Sequence, residues 1–452
     1  MFSVTPLLHP LPTLTYYGLL VLLALRLSFN VLLHPLNKYP GPRFARLSDV
    51  YNGYHAFRRQ LYLVTWRNHK VYGPVVRQGP NKLVFSSVGA LQAKLHRARR
   101  QLIGRILSER SMREFETTML EQIDHLIRYI YSHARVSPHT NIDMTKRARL
   151  LGFDLAALLA FGHDLHLQTE ERNRFVLPML EAGFFWSSVF LHWPATHKFS
   201  LGLVALPVFR RLRSQYLSLS KAAQHDLYSV VADELDSSEP GSIREGELWA
   251  EATVFLPAAG DTTKTAIAAL FFYLSRNPRC YKKLADEIRS RFRNGGEIHE
   301  ALRMSPPVPG ILWREPYASD RPFTVDGHVV LPGTTVGVNI YSLHYNEEYF
   351  PEASVFNPER WLAGGQAVRE AFVPFSTGPR GCAGKAMAYL EISIFMAKVL
   401  WYFDFGLAES EKARPRGVFK LRDNFTSSHD GPCLDFRPRE DVCGELRDIY
   451  AE

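Results

Sequence analysis

Residues 372–391 read FVPFSTGPRGCAGKAMAYLE. The stretch passes from a Gly- and Pro-rich loop into an apolar helical period, and Cys382 stands at the junction. Gly378 and Gly384 permit backbone conformations and close approaches that a side chain would block. A helix beginning near Gly384 would point its first backbone N–H groups at the sulfur and favour the thiolate. Arg380, two residues away, adds positive charge. A thiolate in an apolar pocket with N–H donors aimed at it is what an axial ligand to haem iron requires. For Cys280, Cys433 and Cys443 the plainer role of a structural cysteine is the better one.

The rest of the composition narrows the class. The chain has 452 residues, of which 46% are hydrophobic and 12% aromatic, enough for a large packed core. Lys and Arg number 54 against 45 Asp and Glu, a net charge of +9. That excess is too mild and too scattered for a nucleic-acid protein, but it favours a negative partner or an anionic membrane surface. The four cysteines form no C-x-x-C pair, which argues against a structural zinc site, a redox dithiol or a disulfide framework. A reducing compartment fits this usage.

Tyr16 to Leu33, YYGLLVLLALRLSFNVLL, is an apolar run. As helix it rises ~27 Å, close to the hydrocarbon thickness of a bilayer. Arg26 interrupts it at a central cost of roughly 2.5–3.5 kcal/mol, which the leucines absorb. A cleaved signal peptide would want a basic start, yet residues 1–15 hold no Lys or Arg, whereas Lys38, Arg43 and Arg46 follow the run. We therefore expect a membrane anchor over residues 1–37 and a body over 38–452 on the cytoplasmic face. Tyr39-Pro40-Gly41-Pro42 cannot continue the helix and reads as a stiff connector.

Beyond the connector, Val75–Arg77 and Lys82–Phe85 are strand-like. Helical periods run over Arg113–Ser132, Met144–Phe161, Leu248–Asn277, Tyr281–Phe292 and Met387–Tyr402, the last nearly all apolar. Between 305 and 340, Pro, Gly, Val and Thr predict short strands and turns. The expected fold is mainly α with a small β region, preceded by an N-terminal transmembrane helix. No G-x-G-x-x-G or P-loop is present.

Phe375, Gly378, Arg380, Cys382 and Gly384 match F-x-x-G-x-R-x-C-x-G without a gap, and on them the chain resembles the cytochrome P-450 family. Chance matches to five fixed positions number on the order of 10⁻⁴ per sequence. Further motifs follow the family's order. Pro257-Ala258-Ala259-Gly260-Asp261-Thr262-Thr263 lies in a long apolar helix, and from Ala258 on it is similar to the family's A/G-G-x-D/E-T-T/S element, with Ala259 where Gly is usual. The resemblance implies that Asp261 and Thr262 relay protons to dioxygen; the plainer alternative is threonine hydroxyls bonded back to helix carbonyls. Glu300 and Arg303 form E-x-x-R on one helix face, and Pro358-Glu359-Arg360-Trp361 resembles the P-E-R-F/W element. By resemblance, Glu300, Arg303 and Arg360 form a charge-paired triad that braces the cysteine loop. His96 and Arg100 fall in the positions of W-x-x-x-R, and with Arg314 and Arg380 they are the expected partners of the haem propionates.

The resemblance spans about residues 38 to 440 and is nearest to microsomal fungal members of secondary metabolism. It implies haem b with Cys382 as axial thiolate and metal ligand, with Phe375 and Gly384 beside it. It also implies an NADPH-cytochrome reductase as electron donor, an apolar small substrate with O₂, and a monomer in the endoplasmic reticulum membrane. Phe184 to Trp186, Val254 to Ala259, Ile311 and Leu312 are the expected pocket lining. Two segments, Val88–Leu95 and Arg293–His299, are short against the family pattern. Three activities stay open on sequence: monooxygenation, another haem-thiolate reaction such as desaturation, rearrangement or ring closure, and haem binding without turnover.

Overall fold

Apolar periodicity of about 3.6 turns most of the chain into helix. The computed structural model describes residues 10–91, 109–162, 164–196, 245–290, 296–315, 323–412 and 419–442. The helical periods are realised as Glu109–Val136, Met144–Phe161, Glu245–Arg276, Pro278–Ser290 and Lys385–Tyr402.

Among the described residues the strands are β1 (Val75–Gly79), β2 (Lys82–Phe85), β3 (Ile142–Asp143), β4 (Ile311–Arg314), β5 (Phe323–Val325), β6 (His328–Val330) and β7 (Thr335–Asn339). They continue as β8 (Phe403–Leu407), β9 (Arg422–Asn424), β10 (Thr426–Ser428) and β11 (Cys433–Pro438). A four-stranded sheet runs β1-β2-β7-β4, with β2 and β7 parallel and both outer pairs antiparallel. A second sheet runs β3-β11-β8, and β5–β6 and β9–β10 are antiparallel pairs.

The central helix, Glu245–Arg276, organises the core. From Ala266 to Leu274 it is buried on every side, as an all-apolar helix must be. The Phe271 ring lies 4.9 Å from Phe405 and 5.9 Å from Phe395, joining the second sheet to helix Lys385–Tyr402. Helix Met144–Phe161 crosses the central helix where two glycines meet. A Cβ on Gly152 would stand 3.0 Å from the Gly260 carbonyl oxygen, and one on Gly260 2.6 Å from Phe153 Cδ2. Gly260 thus serves a backbone approach. Pro257 is buried inside the same helix, which continues through it despite the lost N–H.

The N-terminal helix spans Pro10–Leu32, and Thr15–Lys38 is long and apolar enough to cross a membrane. It is tied to the body by polar contacts at its C-terminal end. Arg77 on β1 is fully buried and donates to the Asn30 carbonyl at 3.1 Å, to Asn37 Oδ1 at 2.5 Å and to the Pro80 carbonyl at 2.9 Å. Burial, then the neighbouring Arg46 cation, pulls its guanidinium down to about 10. The connector is stiff because it lies against β1: the Arg77 N–H donates to the Pro40 carbonyl at 2.7 Å. A Cβ on Gly41 would overlap the Arg77 carbonyl, at 2.2 Å.

The crossing at Gly260 yields a stability test. Gly260→Ala gains ~1 kcal/mol of helix propensity. Overpacking against the fully buried Phe153 costs roughly 1–3 kcal/mol and outweighs it. The unfolding midpoint is expected to fall, and Phe153→Leu in the same chain to restore part of the loss; a midpoint that rises refutes the steric account.

Candidate active site

The cysteine loop is shaped by its own backbone. Ser376 and Gly378 adopt positive φ of 55° and 62°, and Gly378–Arg380 makes a short 3₁₀ turn. The Cys382 N–H donates to the Phe375 carbonyl at 2.6 Å, and helix Lys385–Tyr402 starts directly after, with Gly384 at its N-cap. Cys382 is exposed. Gly378 is needed for its left-handed conformation. Gly384 is not, since its φ is −80°; a methyl there would stand 3.9 Å from the Cys382 sulfur, in ordinary van der Waals contact. Phe375 packs its ring 5.2 Å from Tyr389 of the following helix.

Glu300 is the junction of the buried supports. Its carboxylate accepts from Arg303 Nε at 3.0 Å and Nη2 at 2.8 Å, and from Arg360 Nε at 3.0 Å. Trp361 Nε1 and the Asn357 N–H complete its shell at 3.1 and 3.2 Å. The three expected charges are therefore brought together. The connection to the cysteine loop is His344, which the sequence reading missed because no local pattern marks it. Arg303 Nη1 donates to the His344 carbonyl at 2.8 Å, and the Val373 N–H donates to His344 Nε2 at 3.1 Å. An Nε2 that accepts leaves the ring proton on Nδ1, which donates to the Arg303 carbonyl at 3.0 Å. Burial, then the Arg303 charge, holds this imidazole down at about 3, so it stays neutral.

Asp261 and Thr262 lie on different sides of the central helix. Asp261 is 2% exposed, with Lys264 Nζ at 2.7 Å, Arg149 Nε at 3.4 Å and the Thr426 hydroxyl donating at 3.2 Å. Arg149 also pairs with Glu181 at 3.0 Å. The Thr262 and Thr263 hydroxyls both bond back, to the Ala258 and Ala259 carbonyls at 2.8 and 3.0 Å. Around Thr262 the helix has an uncovered stripe: Ala258 is exposed and Phe255, Ala259 and Thr262 are half-buried, whereas Leu256, Pro257, Gly260 and Asp261 are buried.

Thr263 contacts Glu391, on the helix that leaves the cysteine loop. Burial pushes this carboxyl up to about 8. The Thr263 hydroxyl beside it works the other way and holds that rise down. A signal for Glu391 existed, as it is the one acid, with Lys385 and Lys398, in an otherwise apolar helix.

The expected cation cluster is present in part. Arg314 is half-buried and bonded to its own neighbour's carbonyl on Trp313 at 2.9 Å. Burial, then the nearby Arg380 charge, lowers its guanidinium below the usual value. His96 and Arg100 lie outside the described residues. The expected pocket lining divides. Phe184 stacks on Phe425 at 6.3 Å, but Phe185 and Trp186 turn to Phe57 of the N-terminal region at 5.8 and 6.4 Å. Ile311 is buried with its Cγ2 against Gly337, whereas Leu312 is half-buried. Strand alternation puts Leu312 and Arg314 on one face and Ile311 and Trp313 on the other, which a contiguous Ile-Leu lining had ignored.

A sequence profile of the family described as Cytochrome P450 matches residues 55–420. A cytochrome P450 monooxygenase of Gibberella zeae is 30% identical, across 87% of this chain and 98% of its own length. The monooxygenase poxM of Penicillium oxalicum is 29% identical, across 90% of this chain and 91% of its own. The monooxygenase apf7 of Gibberella fujikuroi is 27% identical, across 97% and 99%. The alignment with poxM runs over 471 positions, more than the 452 residues of this chain, so that relative carries internal residues this chain lacks.

Two outcomes follow from the buried carboxylates. Glu300→Ala leaves Arg303 without its counter-ion and is expected to cost roughly 3–5 kcal/mol in unfolding experiments; a loss below about 1 kcal/mol, the size of a surface pair, contradicts the junction role. Glu391 has a raised value in the folded state. The stability it contributes is whole below the ordinary carboxylate range and is lost as pH rises towards about 8. Glu391→Gln is expected to flatten the decline of the unfolding midpoint between about pH 5 and 8; an unaltered decline removes Glu391 as its source.

Proposed function

Because the chain belongs to the cytochrome P450 family, whose haem b is held by an axial cysteine thiolate, we propose that Cys382 supplies that thiolate in a membrane-anchored monooxygenase of apolar small molecules. The observation that carries the reading is the exposed Cys382 sulfur at the start of helix Lys385–Tyr402, where the loop's backbone bonds are already made. The surroundings fit the cofactor. Arg314 and Arg380 stand near one another, and neither pairs with a carboxylate among the described residues, which suits a group carrying two propionates. Gly384 keeps the space beside the sulfur clear.

Bound haem supplies the capture of O₂ and the cleavage of its O–O bond, one oxygen entering the substrate and the other leaving as water. The chain's own residues do the rest. Backbone N–H groups at the helix start favour the Cys382 thiolate. Arg314 and Arg380, with His96 and Arg100, hold the propionates. Thr262 presents its hydroxyl on the uncovered stripe and positions water there, and Asp261 carries protons towards it. Glu300, Arg303 and Arg360 hold the loop through His344. Phe184, Phe425, Ala258 and Leu312 line an apolar pocket. Electrons come from a separate NADPH-cytochrome reductase, whose acidic docking face would suit the net positive charge. Residues 1–37 anchor a monomer in the endoplasmic reticulum membrane, with residues 38–452 on the cytoplasmic side. The substrate class is an intermediate of fungal secondary metabolism, the group whose motifs this chain resembles.

The test is the reduced carbon-monoxide difference spectrum of the full-length protein. A Soret band at the thiolate position is expected, and Cys382→Ala is expected to remove it. A band at the neutral-ligand position in the unaltered protein, or an unchanged band in Cys382→Ala, overturns the assignment. Thr262→Ala is expected to keep the band while NADPH consumption shifts from water to hydrogen peroxide; unchanged partitioning removes Thr262 from the proton path.

A further inference from the structure

The proton path assigned to Asp261 needs a supply, and the structure holds an unexplained polar group behind it. His429 follows β10 and is 5% exposed, yet neither Nδ1 nor Nε2 has a hydrogen-bond partner. Its ring lies 4.3 Å from Phe419. A buried imidazole with both nitrogens unmet costs stability unless water reaches it. Asn424 nearby donates to the Ser428 hydroxyl at 3.0 Å and leaves its own Oδ1 unmet. Burial, then the charges of Lys264 and Arg422, keeps the His429 ring neutral, with one nitrogen donating and the other accepting.

The position of His429 is fixed relative to Asp261. The Thr426 hydroxyl donates to Asp261 Oδ2 at 3.2 Å, and the Thr265 hydroxyl donates to the Ser427 carbonyl at 3.1 Å. These bonds clamp β10 to the central helix three and two residues before His429. On the inner side stands Lys264, 2% exposed, its ammonium 2.7 Å from Asp261 Oδ1. On the outer side stands Arg422, paired with Asp430, and both of these side chains reach solvent.

We propose that His429 and Lys264 form a hydrated proton inlet from the Arg422–Asp430 surface to Asp261. The inference rests on the monooxygenase reading above and names the route that feeds it. Each passage is balanced. Hydronium at the Arg422–Asp430 surface gives its proton, through water, to the accepting ring nitrogen and reverts to water, and the other nitrogen releases one through water to Lys264, which has just given its own to Asp261. Imidazole and ammonium end as they began, apart from a tautomer exchange that the next ring flip or reverse hop resets. The protons are consumed with reductase electrons when O₂ is reduced. His429 and Lys264 are positioning residues in this scheme, acting through Asp261.

The experiment uses full-length protein with the reductase and NADPH in air, without added substrate. It compares the unaltered chain with His429→Gln and His429→Phe. Glutamine satisfies buried water but cannot take a proton at one atom and release it at another, so it separates relay from hydration. Both variants are expected to keep the thiolate carbon-monoxide band and the rate of haem reduction under carbon monoxide. Both are expected to oxidise NADPH roughly tenfold more slowly, with a larger solvent deuterium isotope effect; a positioned proton donor is worth ~10²–10⁴-fold. His429→Gln at the unaltered rate and isotope effect overturns the inlet, whatever His429→Phe does. Loss of the band in both variants also overturns it and makes His429 a packing residue. A missing band in the unaltered protein refutes the monooxygenase reading itself, which keeps the two failures distinct.

Discussion

One carboxylate ties three parts of the molecule together. Glu300 is wholly buried and is bonded by Arg303 of its own helix, by Arg360 and Trp361 some sixty positions later, and by a backbone N–H. Taking such a charge from water is expensive, and only a complete shell of donors offsets the loss. That requirement fixes the segment around Asn357–Trp361 in space. Arg303 then reaches the His344 carbonyl, and the His344 ring receives Val373, the residue that opens the cysteine loop. A site that must hold one sulfur in one place is thus supported through directional bonds. Apolar packing alone would fill the same volume but leave the loop several near-equal settings.

The central helix shows the complementary constraint. One side is closed by packing, and another is left uncovered. Closure is achieved by removing side chains, at Gly152 and Gly260, and by locking Asp261 to Lys264, Arg149 and Thr426. The open side keeps small or weakly polar residues, Ala258, Ala259 and Thr262. Adjacent residues on a helix point about 100° apart, so Asp261 and Thr262 can serve the two sides from neighbouring positions. On the open side the Thr262 hydroxyl bonds back to the Ala258 carbonyl of its own helix, whereas Thr263, which bonds back to Ala259, is buried beside Glu391.

Much of this was legible in the chain. The helical periods, the strands at Val75 and Lys82, the connector at Pro40-Gly41-Pro42 and the meeting of Glu300, Arg303 and Arg360 follow from residue types and spacing, because each is local or carried by a motif. Long-range partners were not legible. Nothing near Asp261 announces Arg149, and nothing near Val373 announces His344, since both depend on how distant elements cross. Phe185 and Trp186 were expected in the pocket lining and their rings meet Phe57; an apolar helix carries no label for which side faces a ligand. Gly384 was read as permitting a special backbone conformation or a close approach; its backbone is ordinary, so the first part of that reading does not apply to it.

The neighbouring guanidiniums of Arg314 and Arg380 have a consequence for the life of the protein. Two like charges, neither paired with a carboxylate among the described residues, repel each other. An anionic group seated there removes the repulsion and binds only the folded form, so its free concentration adds directly to stability. If haem is the group seated there, as proposed for these two arginines, its supply and the folding of the chain act as one equilibrium. When haem is scarce, a larger share of newly made chains stays open to proteolysis, and the amount of folded protein in the cell tracks the output of another pathway as closely as it tracks its own messenger.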